Sequence, residues 1–334
     1  MERATPDTMT AVVQDQYGTV AAEVLGVEQI ARPTIGDDEV LVRTRAAGVD
    51  RGTWHLMAGL PLIGRIAFGL GSPKVRVPGR DVAGTVETVG KNVSGLTRGD
   101  EVFGSCGATH SGSFAELSVA RANRLAIKPA NLTFEEAAAV PISGFTALQA
   151  LRKGHVAAGQ TVAVLGASGG VGTYTVQIAK AFGAEVTGVC SAAKADLVRA
   201  LGADHVIDYR SEDVTDGGPY DVILDIGGNR TLSQLRAALT PEGRLVIAGG
   251  ETDGRWFGGY DRQLRAAALS PFVSQTLGPI TSSENAEDLV VLRDLIEAGQ
   301  ITPAVDRTYP LAEAAAAVQH LVDGRARGKV VITV

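Results

Sequence analysis

Cysteine is scarce in this chain: 334 residues carry only Cys106 and Cys190. Two thiols exclude a disulfide framework and a structural zinc site of four thiolates. Histidine is nearly as rare, and the five imidazoles His55, His110, His155, His205 and His320 stand too far apart to show metal-ligand spacing. No apolar run approaches the roughly 20 residues that a membrane span requires. Met1 to Thr10 lacks the apolar core of a signal peptide, so the expected setting is cytoplasmic, with no membrane partner. Nor is there an excess of positive charge. Lys and Arg total 31 against 37 Asp and Glu, a net charge of −6, and without a dense basic run or a repeated module a nucleic-acid partner is not expected.

What is present is a large core and abundant glycine. With 45% hydrophobic and 20% charged residues, the chain has the composition of a globular protein long enough for two domains. One stretch stands out. Thr161-Val-Ala-Val-Leu165 is an apolar run of strand length, Gly166-Ala-Ser-Gly-Gly-Val-Gly172 breaks it, and Thr173 to Lys180 returns to helical periodicity. Strand, tight turn and helix in that order build an anion seat: glycines let the backbone approach a pyrophosphate, and the amide groups and positive end of the helix hold it. The spacing reads Ala167-x-Gly169-x-x-Gly172, so alanine stands where the usual fingerprint has its first glycine. A plain βα turn would show the same residues, so the context decides.

That context is alternation of strand and helix. Glu185–Val189, His205–Asp208, Tyr220–Asp225 and Gly243–Ala248 read as strands, separated by helices over Ala193–Leu201 and Thr231–Leu239. Such alternation implies right-handed crossovers and a doubly wound α/β domain with a parallel sheet. Leu269–Leu277 is expected to supply its sixth strand, at an edge open to pairing with a second copy, which makes a homodimer the expected assembly. Before this region, residues 10 to 127 alternate with period two in Thr10–Gln14, Glu39–Thr44, Val82–Val89 and Glu116–Val119, the pattern of a β-rich, partly open barrel. Between them Trp54 to Lys74 reads as a long apolar loop that packs on itself or on a ligand. Thr133 and Glu136 form a capping box that opens a helix. The closing strand Gly328–Val334 has no βαβ partner left and is expected to rejoin the first domain. The doubly wound domain, 128–283, is thus inserted between 1–127 and 284–334.

Dinucleotide domains commonly place an acid about 20 residues beyond the glycine turn, on the adenosine ribose. Here that place holds Cys190-Ser191-Ala-Ala-Lys194. Absence of the acid, a hydroxyl from Ser191 and a charge from Lys194 favour a 2′-phosphate, with Tyr209 beyond the third strand facing the same group. NADPH is therefore the expected cofactor. Lys329 is a further candidate for that phosphate, with surface charge as its equal alternative.

Read together, Ala46-Ala-Gly-Val-Asp50, Val77-Pro-Gly-Arg-Asp-Val-Ala-Gly84, Gly99-Asp-Glu-Val-Phe-Gly104, Ala137-Ala-Ala-Val-Pro141, the glycine turn and Gly328-Lys-Val-Val-Ile332 resemble, in this order, the medium-chain dehydrogenase/reductase superfamily. Within it the chain is similar to the zinc-independent quinone oxidoreductase and enoyl reductase branch. The resemblance implies a Rossmann doubly wound sheet inserted in a GroES-like barrel. It also implies no metal, because the ligand positions of zinc-dependent members hold Asp50, Arg80-Asp81 and Ile142. Cofactor contacts are implied at Thr146, at Ser168, Gly169, Gly170, Val171 and Gly172, at Cys190, at the Ala248-Gly249-Gly250 loop and at Phe272 and Val273. A small-molecule quinone or enone would accept hydride, with Asp50, Trp54 and His55 as the candidates for catalysis or positioning. Trp54, Phe68, Trp256, Phe257 and Tyr260 could line its site. A metal-free alcohol or aldehyde oxidoreductase, or an NADPH-binding regulatory protein, stays open.

Overall fold

The computed structural model describes residues 7–107, 111–228, 230–249 and 254–334. His110, Gly250 and the stretch Met1 to Pro6 lie outside the described residues. The chain divides into two compact units: the described part of Met1–Ile142 with Glu284–Glu297 and Val305–Val334, and Ser143–Ser283 with Ala298–Ala304.

The first unit is organised by the strand Glu39–Val49. Its Val40–Ala46 stretch pairs antiparallel with Asp81–Val89, Glu39–Arg43 pairs with Leu117–Arg121, and Ala46–Val49 pairs with Lys329–Thr333. Register shifts at Leu41/Val42 and Thr44/Ala46 bend the strand, as bulges do, so one strand can serve three partners in a curving seven-stranded sheet. Three expectations change here. The unit boundary falls after Ile142, not after Ile127, because the helix Phe134–Ala138 packs on Glu39–Val49 and Asp81–Val89. The closing strand does have a βαβ partner: Val305–Pro310 runs parallel to Lys329–Thr333, with the helix Ala314–Val322 between them. Its exposed edge position leaves Val305-Asp-Arg-Thr-Tyr-Pro without apolar alternation. Trp54–Lys74 is not a loop but the helix Arg51–Ala58, a 3₁₀ turn Leu62–Gly64 and a short helix Arg65–Phe68. Asp50 caps the first of these at its start, and Gly59 ends it in the left-handed conformation at φ 62°.

The second unit is a six-stranded parallel sheet in the order His205–Asp208, Glu185–Cys190, Thr161–Leu165, Tyr220–Asp225, Leu239–Ile247, Thr276–Pro279. Its central strands Thr161–Leu165 and Tyr220–Asp225 are buried almost throughout, which explains their apolar sequence, and Ala163, Leu165, Ile223, Leu245 and Leu277 meet in one core. The edge strand is Thr276–Pro279 rather than Leu269–Leu277. Leu269 ends the helix Tyr260–Leu269, and Pro271 fits the start of a 3₁₀ turn, Ser270–Phe272, that delays the strand. Among the described residues no helix is long and apolar enough to cross a membrane.

Candidate active site

The chain order reverses between Thr161–Leu165 and Tyr220–Asp225. Later strands add outward on both sides of that pair, which makes its carboxyl end the switch point where doubly wound folds bind ligands. Register aligns Leu165 with Asp225 and Asp225 with Ile247, so Gly166, Ile226 and Ala248 leave the sheet side by side. Gly166 turns the chain at φ 85°, a conformation that costs other residues a Cβ clash. Gly169 then caps the twelve-residue helix Gly170–Ala181 without any side-chain bond. Its first-turn amides, from Gly170, Val171 and Gly172, have no intrahelical acceptors. A Cβ at Gly172 would lie 2.1 Å from the Gly166 carbonyl oxygen, whereas one at Gly169 would meet nothing nearer than 3.5 Å. The turn is thus tight on its inner side and open where an anion would approach, so a pyrophosphate fits this seat. Ala167 is fully buried, its methyl turned toward Gly188, and Gly166 supplies the unusual dihedral instead.

Beside the turn lies a cavity of about 220 Å³. Ser168, Cys190, Ser191, Lys194 and Tyr209 all line it, as expected from sequence, and Arg230 joins them. Nothing in the sequence reading singled out Arg230; its position just beyond the fourth strand of the alternation was the available signal. Its guanidinium donates to the Tyr209 carbonyl at 3.1 Å, and that of Arg210 lies 5.8 Å from the Tyr209 ring. Asp225, the carboxylate among the lining residues, is committed: it accepts the Gly228 amide at 2.9 Å and pairs with Arg262. Burial raises its pKa in spite of that cation. The Cys190 thiol is pushed up by burial and then by Asp208, and burial takes Cys106 to about 12, so neither is an activated nucleophile.

Other expected cofactor residues are more scattered. Ala248 and Gly249 follow their strand at the switch point and donate their amides to the Asp225 carbonyl. Thr146 lies on the helix Pro141–Lys153, its hydroxyl 3.4 Å from Ser282. Phe272 is 84% exposed and Val273 packs on the core, and neither is among the residues lining the cavity. Lys329 requires correction. It is 1% exposed, and its ammonium is 2.8 Å from the buried Asp81 carboxylate, so it serves neither a phosphate nor the surface. Asp81 also accepts the Ile142 amide at 2.7 Å.

In the first unit the three catalytic candidates hold structural positions. Asp50 Oδ1 accepts the Thr53 amide at 2.6 Å, as an N-cap does. His55 Nδ1 is 3.1 Å from the Leu60 carbonyl, which places a proton on that nitrogen. Trp54 packs on the core, its ring 5.0 Å from His55 and 4.9 Å from the Arg51 guanidinium. A cavity of about 170 Å³ is instead walled by Thr53, Leu56, Phe68, Val77 and Arg80. Phe68 therefore lines a cavity as expected, while Trp54 does not. Trp256, Phe257 and Tyr260 belong to the second unit and are more than half exposed. Arg80 pairs with Glu284, which also accepts the Ser105 hydroxyl at 2.7 Å and stands 3.4 Å from Arg124. Burial would lower the Arg80 pKa, yet Asp50 and Glu284 hold it above its ordinary value. Among the described residues no three His, Cys, Asp or Glu side chains gather as a metal site.

This architecture has many relatives. The family model of the alcohol dehydrogenase GroES-like domain matches residues 36–131, and that of the zinc-binding dehydrogenase matches residues 201–332. The chain is 34% identical over 342 residues to the 2-methylene-furan-3-one reductase of Solanum lycopersicum, an alignment covering 98% of this chain and 79% of that protein. The chain belongs to the medium-chain dehydrogenase/reductase superfamily, in its quinone oxidoreductase branch. It is an oxidoreductase. The NADPH-dependent alkenal/one oxidoreductase of Arabidopsis thaliana is also 34% identical, over 98% of this chain and 80% of the relative. The solved quinone oxidoreductase of Coxiella burnetii superposes with a TM-score of 0.86 at 27% identity, covering 98% of this oxidoreductase and 99% of that chain.

Proposed function

We propose that this oxidoreductase is an NADPH-dependent, metal-free reductase of quinones or α,β-unsaturated carbonyl compounds. The observation that carries the cofactor reading is the cavity in which Ser191, Lys194, Tyr209 and Arg230 converge while its carboxylate, Asp225, is tied to Arg262. A 2′-phosphate finds two cations and two hydroxyls there, and the carboxylate in the cavity wall is already paired with a cation. Bound at this seat, the reduced nicotinamide supplies the hydride; the protein binds and orients it. The quinone or enone class comes from the relatives, whose names include an alkenal/one oxidoreductase and quinone oxidoreductases. Metal-free operation is supported by the cations that already stand beside the carboxylates: Lys329 on Asp81, and Arg80 next to Asp50. Two free, buried thiols suit a reducing compartment, the cytoplasm in this reading.

The test is NADPH consumption with a panel of quinones and enones in the presence of a chelator. Turnover should persist. In the same assay Lys194→Ala should lower kcat/KM for NADPH by about 10- to 100-fold, the worth of a charge-assisted phosphate contact, and leave NADH nearly unchanged. Equal losses with both cofactors would count against a phosphate contact, and equal wild-type efficiencies would overturn the NADPH reading.

A homodimer through Thr276–Pro279 belongs to the same proposal. Among the described residues that strand has a partner on one side only, and the nearby Phe272 and Leu264 are 84% and 68% exposed, an apolar edge of the kind that second copies cover. Sedimentation at micromolar concentration should give twice the chain mass, and a stable monomer would refute the assignment.

A further inference from the structure

The cavity of the first unit has walls of unequal chemistry. Leu56, Ala67, Phe68 and Val77 make it apolar, and its neutral polar members are spoken for: Gln14 donates to the Met57 carbonyl at 2.7 Å, and Tyr17 to the Gly69 carbonyl at 2.7 Å. Of its two cations, Lys74 is exposed and bonded to the Ala67 carbonyl at 2.9 Å, where water screens it. Arg80 differs. Its side chain is 23% exposed, one end is held by Glu284, and its Nη1 and the Asp50 Oδ1 both border Gly52, each 3.0 Å from the position a Cβ would take there. Among the described residues the buried Arg80 Nε and Asp50 Oδ2 have no hydrogen-bond partner. A fixed guanidinium at an apolar wall, with donor capacity in hand, is a preorganised receptor for an oxygen that gains negative charge.

We propose that the Arg80 wall of this cavity is an oxyanion-binding site, which receives the oxygen of a small, flat enone or phenol. This rests on the reductase reading above. Hydride addition at the β-carbon of an enone would move the C=C electron pair to the α-carbon and carbonyl, leaving an enolate. Arg80 hydrogen-bonds the enolate oxygen, and the α-carbon then takes a proton from water, giving the saturated ketone. No metal is required to hold that charge. Glu284 is a positioning residue, since it holds one end of the guanidinium, and the charges of Asp50 and Glu284 offset that of Arg80.

The probe is 4-nitrophenol, a single ring whose phenolate absorbs near 400 nm, titrated spectroscopically on the wild-type protein and on Arg80→Gln and Arg80→Lys. The bound phenol should ionise about one pH unit below the free one, because an adjacent cation favours the anion. Arg80→Gln should abolish this shift or reverse its sign, with Arg80→Lys restoring part of it. NADPH binding, which belongs to the second unit, should persist in both variants and report their folding. Should Arg80→Gln not fold, Glu284→Gln serves instead: removal of the opposing carboxylate should lower the bound pKa further. Absence of binding, a wild-type shift of zero or upward, or an equal shift in wild type and Arg80→Gln overturns the site. Enone turnover without the shift defeats the site and leaves the reductase reading standing. A shift lost in Arg80→Gln without any turnover supports the site and defeats the reading. With enones, Arg80→Gln should lower kcat by about 100-fold, the scale of one oxyanion donor.

Discussion

Lys329→Met should destabilise the protein by about 3–5 kcal/mol, as expected when one partner of a buried ion pair is removed and the other charge stays behind. Asp81 is wholly buried, and the ammonium 2.8 Å away is the cation that offsets its desolvation. Burial already raises the Asp81 pKa in the presence of Lys329, with Asp50 adding to the shift. Without the lysine, folding would require a protonated carboxyl in that position. The double variant Asp81→Asn, Lys329→Met should recover more than half of the loss, because a neutral amide still accepts the Ile142 amide hydrogen and leaves no charge unpaired. Denaturant unfolding of the four proteins of this cycle measures the coupling. A single-variant loss below about 1 kcal/mol, typical of exposed pairs, would show that the pair is far more hydrated than its burial implies. NADPH affinity should stay within about twofold throughout, which separates this structural role from the phosphate contact suggested by sequence position alone.

The second large effect concerns the glycine turn. Gly172→Ala should lower stability by about 2–3 kcal/mol and weaken NADPH binding by at least about tenfold, since its Cβ would fall 2.1 Å from the Gly166 oxygen and 2.7 Å from the Ala167 Cα. Both are backbone atoms, so no side chain can yield, and the helix start must move away from the turn. Gly169→Ala is the contrasting case. Its Cβ makes only an ordinary contact at 3.5 Å, so the fold should be nearly unaffected, but the methyl stands where the backbone is open to a pyrophosphate. Affinity should fall there without a matching loss of stability. Isothermal titration with NADPH beside thermal unfolding distinguishes the two, and parallel losses in both variants would mean that the turn is shaped by packing rather than for an anion.

Different parts of the molecule were legible in the sequence to different degrees, for physical reasons. Tyr220–Asp225 is readable to the residue because a buried parallel strand is apolar on both faces. The capping box of Thr133 and Glu136 forms as read, each side chain bonding the other's backbone amide. Ser191, Lys194 and Tyr209 could be assembled because each follows a strand of the same sheet at its carboxyl end, so topology alone brings them together. Arg230 obeys the same logic one strand later. Val305–Pro310 escaped notice because an exposed edge strand carries no burial pattern. The Asp81–Lys329 pair could not be read at all, since 248 positions separate its members. Nor could the bond between Arg80 and Glu284, which depends on a chain return that local patterns do not encode.

One strand governs how the chain must be made. Glu39–Val49 is made long before the partner of its Ala46–Val49 edge, Lys329–Thr333, which follows the whole second unit in the chain. The second unit has all six of its strands by Pro279, so its local βαβ contacts can form while the first unit still waits. Throughout that interval a nascent chain carries an unpaired edge of Ala46, Ala47, Gly48 and Val49, apolar and ready to pair with any strand presented to it. Completion of the first sheet is consequently a late, long-range event of high contact order.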